Sequence, residues 1–480
     1  MEWAVSRHVA LTGFMGSGKT TLGRRLAGAL ERRFVDVDEE LQARHGLSIT
    51  EMFERHGEAW FREREADATT ELLADPEPAV FALGGGAVMA PAIQAALRLR
   101  AVTAYLDVPA DEAWRRVAGS GRPLAQDKAA FVRLYEERLP TYRACADVVG
   151  DDLDPLLLGL GGIVVSRGAL GELQTYLPPD GPIALIADHR VLELHPPALG
   201  PRLAQTLTVA SGEEAKRPEV CHELWNELAI DRAGLVVGLG GGTATDVAGF
   251  VAATYLRGVR WAAVPSTLVG QVDAAIGGKT GIDLAKGKNL VGAFHLPARV
   301  ISDPDLLATL PAAQRAEGMA EVVKTGLLAG HPIWELGECE MVSAAAAFKA
   351  AVCIADPAET GRRAILNLGH TFAHGLEAAG GYRGPTHGEA VSLGLRAALR
   401  LSVRHLGLDA DVMHQLDELL PVEPARVDLD AAWRAMSFDK KARDGRLRLV
   451  LLQAPGEPVF GIELPADEVR GELARLVASA

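Results

Sequence analysis

A glycine-rich motif near the N-terminus limits the possible local folds of this chain more than any other segment. Residues 13–20 read GFMGSGKT, which fits the pattern G-x-x-x-x-G-K-[ST]. The strand-like run VALT precedes the motif and the helical pattern TLGRRLAGAL follows it, which is the context the motif requires. In such a loop, glycines let backbone N–H groups turn toward phosphate oxygens at the N-terminus of a helix. The motif therefore predicts a nucleoside triphosphate site between a strand and a helix.

Composition and charge narrow the classes of partner. The chain has 480 residues, 48% of them hydrophobic and 23% charged, so it is too hydrophobic to be disordered. The longest apolar run is too short to span a membrane, and the N-terminus does not resemble a signal peptide. A net charge of −14 argues against nucleic-acid binding but leaves room for local basic clusters that bind small anionic substrates. Four cysteines lie far apart and form no CxxC pair, which favours a cytoplasmic location.

Apolar strand-like runs alternate with helical stretches along most of the chain, which predicts an α/β fold with parallel sheets. The acidic segment GDDLDP interrupts this pattern near residue 155, and from about residue 311 the pattern is mostly helical. We therefore predict three domains. They are a phosphate-loop domain with helices on both faces of a parallel sheet (1–155), an α/β nucleotide-binding domain (156–310) and an all-helical metal-binding domain (311–480).

Charged residues after the phosphate loop narrow the reaction of the first domain. In FVDVD, Asp36 and Asp38 are expected to lie at the end of a short strand and to point the same way. Arginines then recur in FRERE, SGRPL and RLPTYR, and the glycine run LGGGAV lies among them. Arginines spaced through an acidic domain suit the clamping of a carboxylate and of a transferring phosphoryl group.

Over residues 7–150 this ordered set resembles shikimate kinase, through GFMGSGKTTLGRRLA, FVDVDEEL, FRERE, LGGGAV, GRPL and RLPTYR. The resemblance implies ATP with Mg²⁺, the metal being held by Thr20 and Asp36. The implied catalytic residues are Lys19, Asp38 and Arg122, the last in a lid over the phosphates. The implied ATP-binding residues are Gly13, Gly16, Ser17, Gly18, Lys19, Thr20, Thr21 and Arg122. The implied shikimate-binding residues are Asp38, Arg62, Gly85, Gly86 and Arg138.

A second glycine cluster opens another candidate site. The run LVVGLGGGTATD reads as a strand, a tight turn and a helix start. A dinucleotide pyrophosphate fits such a turn, but a purely structural turn accounts for it equally well. Asp188 follows a strand, and Glu213 and Lys216 lie in SGEEAK; acidic residues after strands can hold ribose hydroxyls. Lysines beside glycine, Lys279 in GGKT and Lys288 in KGKN, predict anion-binding loops, with a flexible exposed loop as the alternative.

The helical part of the chain carries candidate metal ligands. His370 and His374 are spaced i, i+4 and therefore share one face of a helix. Glu321 and His387 add two more donors, and this mixture of nitrogen and oxygen ligands suits zinc. The spacing alone does not decide which three of the four residues bind the metal.

Residues 163–480 resemble 3-dehydroquinate synthase, through SGEEAK, GLGGGTATDVAGFVAATYLRG, VPSTLVGQVDAAIGGKTGID, GKNLVGAF, GMAEVVKTGL, ILNLGHTFAHGLE, HGEAVSLG and DKKARDG. The resemblance implies Zn²⁺, or Co²⁺ in its place, on Glu321, His370 and His387. The implied NAD-binding residues are Asp188, Glu213, Lys216, Gly241, Gly242, Asp246, Ser266, Thr267 and Lys288. The implied substrate-binding residues are Arg257, Asp273, Lys279, Asn289, Lys324, Lys349, Arg363, Asn367, His374 and Lys440. The implied catalytic residues are Asp273, Lys279, Lys324, Arg363 and His374. The resemblance also implies a homodimer formed through this part, with Arg257 reaching the neighbouring subunit's site.

Together the two resemblances imply a bifunctional enzyme of the shikimate pathway. It would phosphorylate shikimate with ATP, and it would convert 3-deoxy-D-arabino-heptulosonate 7-phosphate to 3-dehydroquinate with loss of phosphate, using NAD without consuming it. The sequence leaves three alternatives: another sugar-phosphate cyclase in the C-terminal part, an iron-type alcohol dehydrogenase there, or a non-catalytic binding module in one half. Because the two reactions are not consecutive, halves separated near residue 155 are expected to keep most of their activity.

Overall fold

A computed structural model describes residues 3–119, 126–285, 287–381, 384–438 and 446–478 of the chain. The fold divides into two compact units, residues 1–162 together with 350–355, and residues 163–349 together with 356–480. Residue 155 lies inside a helix, Leu153–Leu160, and the first unit continues to residue 162. The three domain ranges, and the division at residue 310 in particular, stay predictions. No helix within the described ranges is both long and apolar enough to cross a membrane.

The first unit is built on a parallel sheet with the strand order β2-β3-β1-β4-β5. Its strands are β1 His8–Thr12, β2 Arg33–Asp36, β3 Ala79–Ala82, β4 Ala101–Leu106 and β5 Val148–Gly150. Its helices are α1 Lys19–Ala29, α2 Val37–His45, α3 Ile49–Leu72, α4 Pro91–Arg100, α5 Ala110–Val117, α6 Lys128–Cys145 and α7 Leu153–Leu160. Strands β1, β3 and β4 are buried along their whole length, as expected of the inner strands of a covered parallel sheet. The predicted parallel α/β sheet is confirmed.

Parallel strands bring their carboxyl ends, and the loops that follow them, to one edge of the sheet. Strand β1 ends at Thr12 and helix α1 begins at Lys19, so the glycine-rich loop joins the two. Gly13, Gly16 and Gly18 have φ values of 146°, 82° and 92°. Side chains with a Cβ rarely adopt such values, and this is the physical reason for glycine at these positions.

The strand after the phosphate loop is shorter than the sequence predicted. Strand β2 ends at Asp36, whose carboxylate accepts hydrogen bonds from the backbone N–H groups of Asp38 (3.0 Å) and Glu39 (3.3 Å) and so caps α2. The expectation that Asp36 and Asp38 both lie at the end of one strand and point the same way on that account is therefore wrong, because Asp38 lies in the first turn of a helix. An acceptor at the N-cap satisfies N–H groups that have no partner within the helix, and this favours the early start.

The second unit contains a larger parallel sheet with the strand order β6-β13-β10-β9-β7-β8. The strands of its α/β part are β6 Ile163–Val165, β7 Ile183–Asp188, β8 Leu203–Val209, β9 Leu235–Gly240, β10 Arg260–Pro265, β11 Lys279–Leu284, β12 Gly287–Phe294 and β13 Arg299–Ser302. The helices of this part are α8 Leu173–Tyr176, α9 His189–Leu194, α10 Pro218–Glu227 and α11 Gly242–Thr254. Strand β9 leads through Gly241 directly into α11, so the second glycine cluster forms a strand–turn–helix at the carboxyl edge of the sheet.

Strands β11 and β12 form a separate antiparallel pair. The prediction that Lys279 and Lys288 lie in loops is therefore wrong, since Lys279 begins β11 and Lys288 lies in β12. Gly281 and Gly292 are partners in the register, and a Cβ on Gly292 would lie 2.3 Å from the backbone oxygen of Thr280. These two glycines allow the paired strands to approach closely. In the local sequence alone, glycines of this kind look like those of a loop.

The C-terminal region is rich in helices, as predicted. These helices are α12 Ala312–Ala329, α13 Glu338–Ala355, α14 His370–Ala379, α15 His387–Leu406, α16 Asp411–Leu419, α17 Leu429–Phe438 and α18 Ala466–Ala474. The region also contains an antiparallel pair that the all-helical prediction left out, β14 Arg446–Ala454 and β15 Glu457–Pro465.

Helices α14 and α15, which begin at the candidate ligands His370 and His387, approach each other closely at two glycines. A Cβ on Gly394 would lie 2.1 Å from the backbone oxygen of Gly369, and Gly369 itself has a φ of 77°. Backbone atoms cannot move aside as the end of a flexible side chain can, so a methyl group at position 394 would push the helices apart.

We therefore expect Gly394→Ala to lower the free energy of unfolding of the second unit by about 2 kcal/mol, which is typical of overpacking. Urea or thermal unfolding measures this change. The matched control is Gly471→Ala in α18, where an added Cβ meets nothing within 4 Å and helix propensity predicts a neutral or slightly stabilising effect. Equal stability of the two variants would contradict the close contact between α14 and α15.

Candidate active sites

The first candidate site is the phosphate loop. The Lys19 ammonium donates hydrogen bonds to the backbone oxygens of Gly13 (2.8 Å) and Phe14 (3.0 Å) and to Ser17 Oγ (3.4 Å). These contacts keep the cation at the loop, where the oxygens of a bound phosphate are stronger, charged acceptors for the same group. Thr21 is exposed in the first turn of α1. The predicted lid residue Arg122 lies outside the described residues.

The two residues predicted at the magnesium ion are in direct contact. The Thr20 hydroxyl donates a hydrogen bond to Asp36 Oδ2 at 2.7 Å. A hydroxyl and a carboxylate are oxygen donors of the kind that Mg²⁺ prefers, usually together with substrate phosphates. The residues therefore fit a magnesium ion at the end of the phosphate loop.

A cavity of about 470 Å³ adjoins the loop and is lined by all the predicted shikimate-binding residues, Asp38, Arg62, Gly85, Gly86 and Arg138. Arg138 is buried and donates a hydrogen bond from Nη1 to the backbone oxygen of Gly85 at 3.1 Å. A Cβ on Gly86 would lie 2.6 Å from the Arg62 guanidinium, so this glycine makes room for the arginine. The predicted residues thus bring to the cavity two guanidinium groups, which bind carboxylates well, and the carboxylate of Asp38, which can accept a hydroxyl proton.

Sequence reasoning missed Glu65, which lines the same cavity. Its buried carboxylate accepts a hydrogen bond from Arg62 Nη1 at 2.6 Å, and its Oε1 has no hydrogen-bond partner among the described residues. Burial raises the pKa of Glu65, and the neighbouring Arg62 only partly opposes this shift. The i, i+3 spacing within FRERE was a signal that could have identified the pair.

The second unit has a cleft of about 570 Å³ where β7 and β9 end. Among the residues predicted to bind NAD, those that line it are Asp188, Glu213, Lys216, Gly241, Gly242, Asp246, Ser266 and Thr267. The ninth, Lys288, donates to Glu213 Oε1 at 2.8 Å. A Cβ on Gly241 would lie 3.1 Å from the Thr267 side chain, and one on Gly242 would lie 3.0 Å from Ala274. Glycine therefore leaves open a narrow space at the start of α11, which fits an approaching pyrophosphate.

Lys216 forms a polar wall of this cleft. Its ammonium donates to Asp246 Oδ2 at 2.6 Å and to Asn289 Oδ1 at 2.7 Å. Burial alone would lower the pKa of Lys216, but the charge and hydrogen bond of Asp246, together with the charges of Glu213 and Asp283, outweigh it and raise the pKa, so the lysine stays protonated. Asp246 and Asn289 also line a second cavity of about 430 Å³, so these two residues form a wall that both cavities share.

The second cavity collects cationic side chains. Lys279, Lys349 and Arg363 all line it, together with Asp273. The Lys349 ammonium donates to both Asp273 Oδ1 and the Asp273 backbone oxygen, each at 2.6 Å. Burial alone would raise the pKa of Asp273, but Lys349 and Lys324 outweigh it and hold the pKa below its usual value. The cavity therefore suits a substrate with anionic groups.

A second residue that sequence reasoning missed is Glu359, at the edge of this cation cluster. Its carboxylate contacts the Lys279 ammonium at 2.5 Å and accepts a hydrogen bond from Asn367 Nδ2 at 3.1 Å. Its backbone φ of 56° is unusual for a residue other than glycine. Nothing local in the sequence marks this residue, because its partners come from β11 and from the segment after its own loop.

The loop that presents Glu359 is organised by Asp356. The buried Asp356 carboxylate accepts hydrogen bonds from the backbone N–H groups of Thr360 (2.9 Å), Gly361 (2.7 Å) and Arg363 (3.0 Å). Burial alone would raise the pKa of Asp356, but these hydrogen bonds outweigh it and hold the pKa below its usual value. The carboxylate thus fixes the loop in its charged form.

We expect Asp356→Ala to lower the free energy of unfolding by roughly 2 kcal/mol, the usual contribution of hydrogen bonds to a charged group. A carboxyl with a lowered native pKa stabilises the fold fully above its unfolded pKa of about 3.9, and this stabilisation is lost as the pH falls through the native pKa. The difference between wild type and variant should therefore shrink in acid. Unfolding at several pH values measures this, with Asp409→Ala, an exposed carboxylate with one backbone hydrogen bond of 3.0 Å, as the control. A difference that does not depend on pH would contradict the assignment.

The candidate metal ligands divide into a cluster of three and a neighbour. Ligand atoms of Glu321, His370 and His387 all lie within 4.8 Å of one another. Glu321 Oε1 is 3.2 Å from His387 Nε2 and 3.4 Å from His370 Nε2. The ring of His374 is adjacent, with its centroid 5.6 Å from that of His370. The three-residue cluster offers one carboxylate and two imidazoles, a donor set that fits zinc.

The charge state of this cluster is set by close pairing. Lys324 forms a buried ion pair with Glu321. Burial alone would raise the pKa of Glu321, but Lys324 and His370 outweigh it and hold the pKa well below its usual value. The carboxylate is therefore ionised and available to a cation.

One predicted residue, Arg257, does not line either cavity of the second unit. Arg257 is exposed, with a φ of 65°, in the short turn after α11. Lys440 lies outside the described residues.

Three family models match the chain in order. The shikimate kinase model matches residues 15–155, the 3-dehydroquinate synthase N-terminal model matches residues 206–317, and the 3-dehydroquinate synthase C-terminal model matches residues 318–442. A solved structure of 2-epi-5-epi-valiolone synthase from Streptomyces hygroscopicus, with NAD⁺ and Zn²⁺ bound, is 25% identical with a TM-score of 0.56. The match covers 65% of this chain and 96% of that structure.

Curated relatives cover one or both parts of the chain. The 3-dehydroquinate synthase of Halorhodospira halophila is 37% identical over 360 residues, which is 68% of this chain and 98% of the relative. The bifunctional shikimate kinase/3-dehydroquinate synthase of Thermotoga maritima is 32% identical over 489 residues, which is 94% of this chain and 97% of the relative. The family models for both enzymes match this chain, and a bifunctional relative aligns with nearly all of it. This chain therefore belongs to the family of bifunctional shikimate kinase/3-dehydroquinate synthases.

Proposed function

We propose that the first unit transfers a phosphoryl group from ATP to shikimate, and that the second converts 3-deoxy-D-arabino-heptulosonate 7-phosphate to 3-dehydroquinate with release of phosphate. The observation that carries the proposal is the arrangement of the second unit. His387 of the metal cluster lines the predicted dinucleotide cleft, and Asp246 and Asn289 join that cleft to the cation-lined cavity. A metal ligand, a dinucleotide turn and anion-binding groups thus converge, as a metal- and NAD-dependent reaction of a sugar phosphate requires.

In the first unit, each polar group has a task that its position permits. Thr20 and Asp36 would hold Mg²⁺, which when bound neutralises charge on the ATP phosphates. Lys19 would exchange its carbonyl partners for phosphate oxygens. Arg62 and Arg138 would pair with the shikimate carboxylate, and Asp38 would accept a hydrogen bond from the attacking hydroxyl and orient it.

In the second unit, Glu321, His370 and His387 would hold zinc, or cobalt in its place. When bound, zinc would polarise a secondary alcohol of the substrate and NAD would take and return its hydride. Lys279, Lys349 and Arg363, with Asn367, would bind the phosphate and carboxylate of the substrate and fix its orientation. Asp273 and His374 would lie near the reacting hydroxyl groups as proton acceptors.

Paired assays on the purified chain test the proposal. We expect phosphorylation of shikimate by ATP in excess Mg²⁺, and release of phosphate from 3-deoxy-D-arabino-heptulosonate 7-phosphate in the presence of NAD. Treatment with a chelator, followed by its removal, should abolish only the second activity, and Zn²⁺ or Co²⁺ should restore it. An undiminished second activity in metal-free protein would contradict the metal assignment.

The alternative hypothesis for the second unit is that it cyclises a different sugar phosphate, since its fold is shared with 2-epi-5-epi-valiolone synthase. The same phosphate-release assay with other sugar phosphates separates the two. Turnover of another sugar phosphate faster than of the heptulosonate phosphate would favour the alternative hypothesis.

We further infer a cytoplasmic homodimer that forms through the second unit. The exposed apolar side chains Leu290 (53% exposed) and Phe294 (60%) on β12 offer a surface that a second copy would cover, and Cys145, Cys221 and Cys339 are free thiols. If Arg257 acts in the neighbouring subunit's site, mixed Arg257→Ala and His370→Ala subunits should regain part of the synthase activity. Light scattering measures the mass, and a monomer would refute the dimer.

A further inference from the structure

Both imidazoles of the metal cluster present Nε2 to Glu321 and have a second partner at Nδ1. For His370 that partner is the backbone oxygen of Leu368, at 3.2 Å from Nδ1. For His387 it is a side chain, with Glu377 Oε1 at 3.4 Å from Nδ1. Each histidine thus has an oxygen acceptor at Nδ1, supplied by the backbone for His370 and by a carboxylate for His387.

We propose that Glu377 is the positioning residue that orients His387 for metal binding. This inference rests on the proposed zinc site. An imidazole that binds a metal through Nε2 must carry its proton on Nδ1, and a carboxylate that accepts this proton in a hydrogen bond fixes both the tautomer and the ring orientation. Glu377 lies where such a carboxylate is needed. Neither the motif ILNLGHTFAHGLE, which ends at Glu377, nor the spacing of the ligands predicted this role.

The position of Glu377 on α14 suits this role. It lies three residues after His374 and seven after His370, so the three side chains share one face of the helix. Helix α14 therefore supplies one metal ligand and also the carboxylate that orients the ligand of α15. The Glu377 side chain is 12% exposed, so water competes little for its oxygens.

His387 is the ligand that most needs such support. It is the first residue of α15, and its side chain is 34% exposed, against 12% for His370 and 0% for Glu321. Close packing therefore constrains it less than the other two ligands. A hydrogen bond to a fixed carboxylate on the neighbouring helix supplies the missing constraint.

Zinc binding by the full chain tests the proposal directly. Competition with a chromophoric chelator gives the zinc affinity, and the visible absorption of bound Co²⁺ reports the ligand geometry. Glu377→Leu should weaken zinc binding about 10- to 100-fold and alter the Co²⁺ spectrum. Glu377→Gln should weaken it less, because the amide oxygen can still accept a hydrogen bond from Nδ1. The matched control is Glu317→Gln, which removes a carboxylate that acts on His387 through its charge, without a hydrogen bond to it among the described residues.

The outcomes separate this inference from the zinc site itself. Wild-type protein that binds no zinc would refute the metal site and this inference with it. Wild type that binds zinc while Glu377→Leu binds it equally well, with an unchanged Co²⁺ spectrum, would overturn only the role of Glu377. If Glu377→Leu does not fold, as judged by circular dichroism, the two glutamine variants decide. Glu377→Gln must then bind zinc more weakly than Glu317→Gln, and equal affinities would overturn the proposal.

Discussion

His370→Ala is expected to abolish synthase activity and zinc binding while leaving shikimate phosphorylation at the wild-type rate. His370 Nε2 lies 3.4 Å from Glu321 Oε1 at the centre of the three-residue cluster, and its Nδ1 is already engaged by a backbone oxygen. Losing a direct ligand should cost more than the roughly 10- to 100-fold that loss of a residue behind a ligand costs. We therefore expect a decrease of more than about 100-fold in zinc affinity, and a synthase rate near background.

The measurement is phosphate release at saturating NAD, together with zinc content after dialysis. His414→Ala is the control, because His414 is an exposed histidine of the same unit on α16. Zinc retained at wild-type affinity in His370→Ala would show that the metal lies elsewhere. A parallel loss of kinase activity would contradict the assignment of His370 to the synthase reaction alone, and circular dichroism would then show whether the variant is folded.

Lys19→Ala is expected to have the complementary effect, abolishing the kinase and sparing the synthase. The Lys19 ammonium is held at the phosphate loop by oxygens of Gly13 and Phe14, where the terminal phosphates of ATP would bind. Removal of one preorganised donor from a site of developing charge costs about 100- to 1,000-fold in kcat. Helix α1 begins at this residue, so the substitution changes the ligand contact without interrupting the helix.

A coupled assay of ADP release in the presence of shikimate measures this loss. Arg25→Ala is the control on the same helix, since its ion pair with Asp152 (2.8 Å) is exposed and contributes little to stability. A kinase rate in Lys19→Ala within a few-fold of wild type would remove Lys19 from the reaction. A decrease in synthase activity would instead indicate that the two units depend on each other.

The sequence predicted best those features that short segments encode completely. The phosphate loop needs glycine at particular φ values between one strand and one helix. The spacing of His370 and His374, together with the helix repeat, is enough to place both side chains on one face of a helix. The fold class followed for the same reason, since strand–helix alternation is itself a local pattern. The family resemblance then supplied residue roles that spacing could not.

What the sequence could not predict depends on partners from distant segments. Lys216 meets Asn289 across 73 residues, and Glu359 meets Lys279 of β11. Such pairs are fixed by the register of strands and the packing of helices, and neither has a local signature. The prediction for Lys279 failed for this reason: Gly277 and Gly278 precede it with φ values of 95° and 65°, but Lys279 itself begins β11, whose distant partner is β12. The prediction for Asp38 failed because the strand ends at Asp36, two residues earlier than expected, where the Asp36 carboxylate caps the following helix.

The wall shared by the two cavities of the second unit has a thermodynamic consequence. Asp246 and Asn289 face both cavities, and the Lys216 ammonium bonds both of them. A ligand in one cavity that shifts this wall changes the affinity of the other, and linkage requires the two effects to be equal in free energy. If bound dinucleotide increases the affinity for the sugar phosphate, bound sugar phosphate increases the affinity for the dinucleotide by the same factor. For a cofactor that is used but not consumed, such reciprocity means that each arriving substrate also helps to retain it.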